Sequence, residues 1–389
     1  MGNLTDFHAL ITVGNSEQAG IMTNKRFLVI AGTRPEAIKL APVVLEARRR
    51  SGVETLLCST AQHRTLFDQA LGAFGLKPDI DLDVMVPGQS LAQLTSRLFD
   101  RLPAALAETK PDAVIVQGDT TTVFAGALAA FYERIPVAHV EAGLRTDDPY
   151  APFPEEINRR LVGQIARWHF APTDRARRNL LRDGVAEERV FTTGNTVVDA
   201  LQTITRRPKP PTSPLAPPEG RRLVMVTGHR RENFGDGLRQ VCAALKDIAL
   251  AHPDTDLVYL VHPNPRVEGP VQEMLGDVKN IRLAAPTGYE ETVALMMRST
   301  LIITDSGGIQ EEAPALGVPV LVTRDVTERP ECVESGCAKL VGVDRERITR
   351  EANALLDDPA AHAAMAQASN PFGDGRASQR IVDVLIEQA

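Results

Sequence analysis

The chain has 389 residues, 43% hydrophobic and 24% charged, an ordinary globular composition with material for two or three domains. Its formal net charge of −7 argues against nucleic acid as the main partner, so an anionic ligand would need a local basic cleft. No apolar run approaches the roughly 18 residues of a membrane span, and Cys58, Cys242, Cys332 and Cys337 form no CxxC pair, which favours reduced thiols, no zinc and the cytoplasm.

Residues 1–24 lack the charge and the long apolar stretch of a signal peptide. They are expected to be a disordered leader, with Met22 as an alternative start. The first strand, Phe27 to Ile30, is apolar throughout, as a strand buried on both faces should be. It leads into Gly32-Thr33-Arg34-Pro35-Glu36-Ala37-Ile38-Lys39. Gly32 allows a tight turn, Thr33 and Glu36 have capping-box spacing, and Pro35 suits a first helical turn. Arg34 and Lys39 instead oppose the helix dipole; a bound anion would resolve that conflict, and plain surface charge is the alternative.

Further strands are expected at Thr55 to Cys58, Ala113 to Val116 and Pro136 to Val140, with helices at Ser90 to Ala107 and Thr122 to Tyr132. Strand alternating with helix implies a parallel sheet covered on both sides. In Gln117-Gly118-Asp119-Thr120-Thr121-Thr122, Thr121 or Thr122 could cap the next helix. Asp119 is either an N-cap or a carboxylate presented to a cleft. In Glu141-Ala142-Gly143-Leu144-Arg145, Gly143 permits close backbone approach, and Glu141 either pairs with Arg145 or faces the cleft. Pro154-Glu155-Glu156 opens a helix with acids at its positive end, and Arg159 lies one turn from Glu155. Asp119, Glu141 and Glu155 would thus be three carboxylates near one cleft, and clustered carboxylates separate into acid and base roles.

Six prolines between Pro208 and Pro218 exclude a helix or central strand. The expected organisation is a first domain at 25–207, a linker at 208–220, a second domain at 221–370, and a closing segment at 371–389. The amphipathic stretch Ser378 to Glu387 in that segment would be a helix, with packing back on the first domain as one placement. The second domain repeats the pattern with strands at Leu223 to Val226, Leu257 to Val261, Leu301 to Ile303 and Val320 to Val322. Gly228-His229-Arg230-Arg231-Glu232-Asn233 suits a phosphate, or else is a basic surface loop. The strongest local signal is Asp305-Ser306-Gly307-Gly308-Ile309-Gln310-Glu311-Glu312. A strand ends, two glycines free the backbone, and a helix begins with its amides and dipole aimed at an anion. Ser306 adds a hydroxyl, and Glu312 could accept hydrogen bonds from a ribose. Doubly wound domains bind ligands at the carboxyl ends of their strands, so all these loops should face a shared cleft. GxGxxG, GxxxxGK[ST] and HExxH are absent from the sequence, so neither a dinucleotide fingerprint, a P-loop nor a zinc-protease helix is supported.

In order and spacing these motifs resemble the non-hydrolysing UDP-N-acetylglucosamine 2-epimerases over about residues 25–385. The resemblance implies a GT-B-like fold of two Rossmann-like domains facing a deep cleft, a homodimer, no cofactor, and a place in cell-envelope polysaccharide biosynthesis. It implies reversible conversion of UDP-GlcNAc to UDP-ManNAc: the C2 proton leaves, UDP is eliminated to an enzyme-bound 2-acetamidoglucal, and UDP adds back as C2 is protonated on its other face. Asp119, Glu141, Glu155 and His229 would carry the chemistry, with the acid and base roles of the carboxylates open. Arg34, Lys39, His229 and the Ser306-Gly307-Gly308 amides would retain UDP, Glu312 would take the ribose, and Arg159 and Arg329 would be further ligand contacts. Gln62, His63, Glu155, Arg230 and His262 match residues that hold a second, activating UDP-GlcNAc in many bacterial members. Thr65 and Gly88 replace the Gln and Arg of that site, so weak or absent activation is expected. A hydrolysing epimerase, a GT-B glycosyltransferase and a non-catalytic sugar-nucleotide sensor remain alternatives, and no residue decides the substituents of the sugar.

Overall fold

The computed structural model describes residues 24–61, 64–228, 230 and 233–389. Gln62, His63, His229, Arg231, Glu232, Met22 and nearly all of the leader expected at 1–24 lie outside the described residues. The first sheet comprises β1 (Lys25–Ala31), β2 (Val53–Ser59), β3 (Ile80–Asp81), β4 (Ala113–Gln117), β5 (Val137–Val140), β6 (Trp168–Ala171) and β7 (Val190–Thr192). Between and after them run α1 (Arg34–Arg48), α2 (Arg64–Gly72), α3 (Leu91–Thr109), α4 (Thr121–Tyr132), α5 (Glu155–Ile165), α6 (Asp174–Arg182) and α7 (Thr196–Thr205). The second sheet comprises β8 (Arg222–Gly228), β9 (Thr255–Val261), β10 (Ile281–Ala284), β11 (Leu301–Thr304), β12 (Val320–Val322) and β13 (Ala338–Leu340). Its helices are α8 (Asp236–Ala251), α9 (Pro265–Leu275), α10 (Tyr289–Arg298), α11 (Gly307–Glu312), α12 (Pro330–Glu334), α13 (Arg345–Asp357) and α14 (Pro359–Ala366), and α15 (Ala377–Gln388) ends the chain.

Both sheets are parallel and doubly wound, in the orders β3-β2-β1-β4-β5-β6-β7 and β10-β9-β8-β11-β12-β13. Phe27 through Ala31 and Ala113 through Val116 are fully buried, which is why their sequences are apolar without alternation. Strand order reverses between β1 and β4, and again between β8 and β11. Each reversal opens a crevice beyond the strand ends, and the two crevices face one another in a GT-B-like arrangement.

The two bodies are packed together on one side. Leu201 and Ile204 of α7 share an apolar cluster with Val293 and Met296 of α10. The proline-rich stretch from Pro208 to Pro218 contains neither helix nor strand. After the second sheet the chain returns to the first body, where α15 lies against α1 and α7. Asp199 accepts the Ser378 amide at 2.8 Å, Trp168 donates to Gln388 at 2.9 Å, and Arg50 pairs with Asp383 at 2.7 Å.

Candidate active site

The loops that follow β1, β4, β5, β8 and β11 enclose one cavity of about 520 Å³ between the two bodies. Arg34, Lys39, Asp119, Glu141, Glu155, Arg159, Arg230, His262, Ser306, Gly307, Gly308, Glu312 and Arg329 all line it. Sequence-predicted residues scattered over nearly 300 positions are therefore brought together by the two strand-order reversals.

A buried charge cluster forms the floor. Lys39, on the inner face of α1, is hydrogen-bonded to Glu141, and its Nζ lies 2.9 Å from Glu311 Oε2. Glu311 in turn accepts from Arg329 Nε at 2.8 Å. Glu141 sits just past β5 with φ of +61°, a left-handed conformation that costs a non-glycine residue about 1–3 kcal/mol. It is held there by Asn195, the N-cap of α7, whose Nδ2 donates to Glu141 at 3.0 Å while its Oδ1 accepts the Val197 amide at 3.0 Å. Both ends of that amide are committed, so its orientation is fixed. Burial pushes the Glu141 carboxyl above its ordinary value, against the pull of Lys39. Burial works the same way on Glu311, but there Lys39 and Arg329 outweigh it and hold the group below its ordinary value. The Glu141–Arg145 pair considered from sequence does not form: Arg145 turns to Asp183 at 2.8 Å.

Asp119 follows β4 on the side wall. Its Oδ2 accepts Arg159 Nε at 3.0 Å, and its carbonyl accepts Asn158 Nδ2 at 2.9 Å. The N-cap of α4 is Thr120, whose hydroxyl accepts the Val123 amide at 3.4 Å, and not Thr121, Thr122 or Asp119. Thr120 Oγ1 also donates to Glu36, whose other oxygen takes the Gly32 and Thr33 amides at 2.6 and 2.8 Å. The turn after β1 is thereby tied to the turn after β4. Arg159 pairs with Asp119 and Glu156, at 3.2 Å for the latter, and not with Glu155. Glu155 is left half-buried at the first position of α5, its carboxyl raised by burial and by the charge of Asp119.

The opposite wall belongs to the second body. Ser306 caps α11, which opens with Gly307 and Gly308. A Cβ on Gly307 would lie 3.2 Å from Arg329 Cζ, so glycine here lets the guanidinium pack against the backbone. Besides Glu311, Arg329 faces Glu328 at 3.7 Å. Glu312 accepts the Tyr289 hydroxyl at 2.8 Å, and burial raises its carboxyl to about 7. Arg34 reaches over from the first body to donate to the Thr287 carbonyl at 3.3 Å, and Asp305 accepts the Arg230 amide at 2.8 Å.

Sequence reasoning singled out no role for Glu311, Asn195, Tyr289 or Asn158. Glu36 was legible as half of a capping box, but its bond to Thr120 depends on strand order. Glu311 adjoins Glu312, and only the helical phase of α11 distinguishes them, Glu312 lining the cavity and Glu311 reaching Lys39. Among the described residues no group of three His, Cys, Asp or Glu could hold a metal ion, no helix is long and apolar enough to cross a membrane, and all four cysteines are free and buried.

Residues 45–386 match the family model described as UDP-N-acetylglucosamine 2-epimerase. The chain is 51% identical over 369 residues to the UDP-N-acetylglucosamine 2-epimerase of Escherichia coli (strain K12), covering 92% of this chain and 98% of that enzyme. The crystal structure of UDP-GlcNAc 2-epimerase from Neisseria meningitidis bound to UDP-GlcNAc superposes with a TM-score of 0.86 at 43% identity, over 93% of this chain and 100% of that one. An S. aureus protein solved with UDP gives 0.85 at 43% identity, over 93% and 96% of the two chains. The chain belongs to the UDP-N-acetylglucosamine 2-epimerase family.

Proposed function

We propose that the cavity epimerises UDP-GlcNAc at C2 to UDP-ManNAc, by eliminating UDP to a bound 2-acetamidoglucal and adding the same UDP back. The observation that carries this reading is the convergence of Asp119, Glu141 and Glu155, from three separate loops, on one cavity whose other wall is the start of α11. A proton at C2 is weakly acidic and needs a base, and re-protonation from the opposite face needs an acid placed elsewhere. Three carboxylates in unlike surroundings meet that requirement: one beside Arg159, one on a buried lysine, one half-buried with a raised pKa. Binding a polyanion alone gains nothing from them, which counts against a sensor. UDP would lie across the Ser306-Gly307-Gly308 backbone with its ribose at Glu312. Arg34 would face it from the first domain, and His229, outside the described residues, from the second. The departing diphosphate must be stabilised and retained, and preorganised donors in a water-poor cleft do this best.

Three side chains take a modified place. Lys39 is already paired with Glu141 and Glu311, so its charge belongs first to these two carboxylates and only at longer range to the diphosphate. Arg159 serves Asp119. Arg329 serves Glu311. A homodimer is part of the proposal: Phe131 and Tyr132 at the end of α4, with Ile157 and Leu161 one turn apart on α5, are exposed apolar groups on neighbouring helices. The free thiols are in keeping with a cytoplasmic enzyme.

Incubation with UDP-GlcNAc in heavy water tests the reading. Deuterium should enter C2 of both UDP-sugars, without net release of UDP. Release of UDP with free sugar would make the enzyme a hydrolysing epimerase, and no exchange with any UDP-HexNAc would sink the proposal. Replacing Asp119, Glu141 or Glu155 by its amide should cut exchange by about a hundredfold or more while leaving UDP bound. The Thr65 and Gly88 departures predict a hyperbolic forward rate curve.

A further inference from the structure

We propose that Glu311 is a positioning residue for the acid–base step: reaching from the second domain, its carboxylate takes a share of the Lys39 ammonium that Glu141 would otherwise hold alone, so Glu141 attains its working state only when the cleft is closed. This rests on the reading of Glu141 as a proton carrier given above.

Four charges meet at the domain boundary, two from each side. Lys39 and Glu141 come from α1 and the end of β5; Glu311 and Arg329 come from α11 and the residue before α12. Their side chains are 8%, 6%, 1% and 13% exposed, so solvent screens the cluster little. Lys39, Glu141 and Arg329 line the cavity, whereas Glu311 does not. It therefore acts on the reacting atoms through the two cations it holds, Lys39 and Arg329. Arg329 holds Glu311 Oε1 at 2.8 Å and leaves Oε2 for Lys39 at 2.9 Å. That geometry depends on the missing Cβ of Gly307, under which the guanidinium lies.

Two bodies could be glued together more simply. Apolar residues in place of a buried ion cluster are often neutral or stabilising. Four buried charges at the floor of the cavity are better explained by what they do to Glu141. Were the two bodies to part, Glu311 and Arg329 would withdraw together and leave Lys39 to Glu141 alone. An ammonium held by one carboxylate keeps it ionised and weakly basic. With the cleft closed, Glu311 competes for that ammonium. The groups facing Glu141 are then Lys39, Glu311, Arg329 and the Asn195 amide; those facing Glu311 are Lys39, Arg329, Glu141, the neighbouring Glu312 and Cys332. Proton transfer is thereby tied to domain closure, which protects the bound glycal from water.

The test uses the full chain carrying Glu311→Gln, and Glu311→Asp as the conservative change. C2 deuterium exchange from UDP-GlcNAc is followed against pH, beside UDP affinity and thermal melting. In the Gln variant Lys39 belongs wholly to Glu141. The limb of the kcat profile that Glu141 governs should move to lower pH by about one unit, and kcat should fall about 30-fold with KM within about threefold. The Asp variant should restore most of kcat and return the limb toward its wild-type position. If the Gln variant loses activity and thermal stability but keeps the wild-type pH profile, Glu311 is only a strut and the inference is overturned. Should the Gln variant not fold, the Asp variant decides: its shorter side chain should leave the limb part of the way to lower pH, and a limb at the wild-type position with kcat reduced would overturn the inference. Failure of the wild-type chain to exchange C2 at all would instead defeat the epimerase reading itself.

Discussion

Glu312 shows how one side chain can carry both recognition and a pH dependence. It is buried at the cavity wall, next to Glu311, and bonded to the Tyr289 hydroxyl. Burial is the largest influence and brings its carboxyl to about 7, opposed by Tyr289, Lys39 and Arg34. If ribose hydroxyls donate to it in the complex, binding favours the ionised form and lowers its pKa. Linkage then fixes the sign: affinity for UDP-GlcNAc is greatest above about pH 7 and weakens as pH falls through that value, by up to about tenfold per unit. A sugar nucleotide, whose diphosphate does not titrate there, is the right probe. Calorimetric titration between pH 5.5 and 8 should show this slope, and Glu312→Gln should flatten it. An unchanged slope in the variant would remove Glu312 from the ribose. The cavity-lining role of Glu312 was legible because a strand, two glycines and a helix start announce themselves locally. Glu311 was not, because its partner Lys39 lies on the other domain, and no local pattern encodes a contact across such a distance.

The segment between β5 and α6 shows the same contrast at the scale of an element. The apolar run of β5 and the glycine after it were legible, and a close approach at Gly143 was expected. The structure gives that approach its partner: a Cβ there would lie 2.2 Å from the Ala176 carbonyl on α6, at φ of +94°. Asn179 of α6 donates to the Gly143 carbonyl at 3.0 Å, so the loop carrying Glu141 is stitched to that helix. Gly143→Ala must shift α6 or the loop, at a cost of about 3 kcal/mol or more from strain and overlap combined. Gly220→Ala is the control, with a similar φ of +87° and nothing within 4 Å, where only about 1 kcal/mol of backbone strain applies. Thermal unfolding should place Gly143→Ala several degrees below Gly220→Ala, with exchange activity lost in the first and kept in the second. Equal melting points would mean that the loop is not braced by α6. The short edge strands were harder to read. β3, β7 and β13 span two or three residues each, too few for any periodicity, and β6 carries His169 in what would otherwise be an apolar run.

At the scale of the whole molecule, alternation of strand and helix is enough to imply two doubly wound sheets, but not how protons distribute through them. His139 on β5 and His169 on β6 are register partners, both about 1% exposed. His139 is tied to the Gly118 carbonyl at 2.7 Å, at the turn that presents Asp119. Burial, joined by nearby arginines, lowers His139 to about 4; burial and the neighbouring His139 lower His169 to about 3. Both are therefore neutral in the fold and titrate near 6.5 only when it unfolds. Their contribution to stability is complete above about pH 6.5 and is lost as pH falls below it, by about 1.4 kcal/mol per unit for each histidine, down to the folded values. Glu36, Glu155 and Asp199, whose carboxyls are raised by burial, act in the opposite sense, so the total pH dependence mixes both. A difference between two chains separates them. His169→Gln removes one titrating group and leaves the carboxylates in place. Trp168, the sole tryptophan and the residue beside it, reports unfolding of this sheet. Denaturant titrations followed by its fluorescence should show the variant losing less stability than the wild type between pH 6.5 and 4.5, by roughly 2 kcal/mol across that range. Parallel curves for the two chains would mean that His169 takes up a proton within the folded sheet, and that the wall behind Asp119 is wetter than its packing implies.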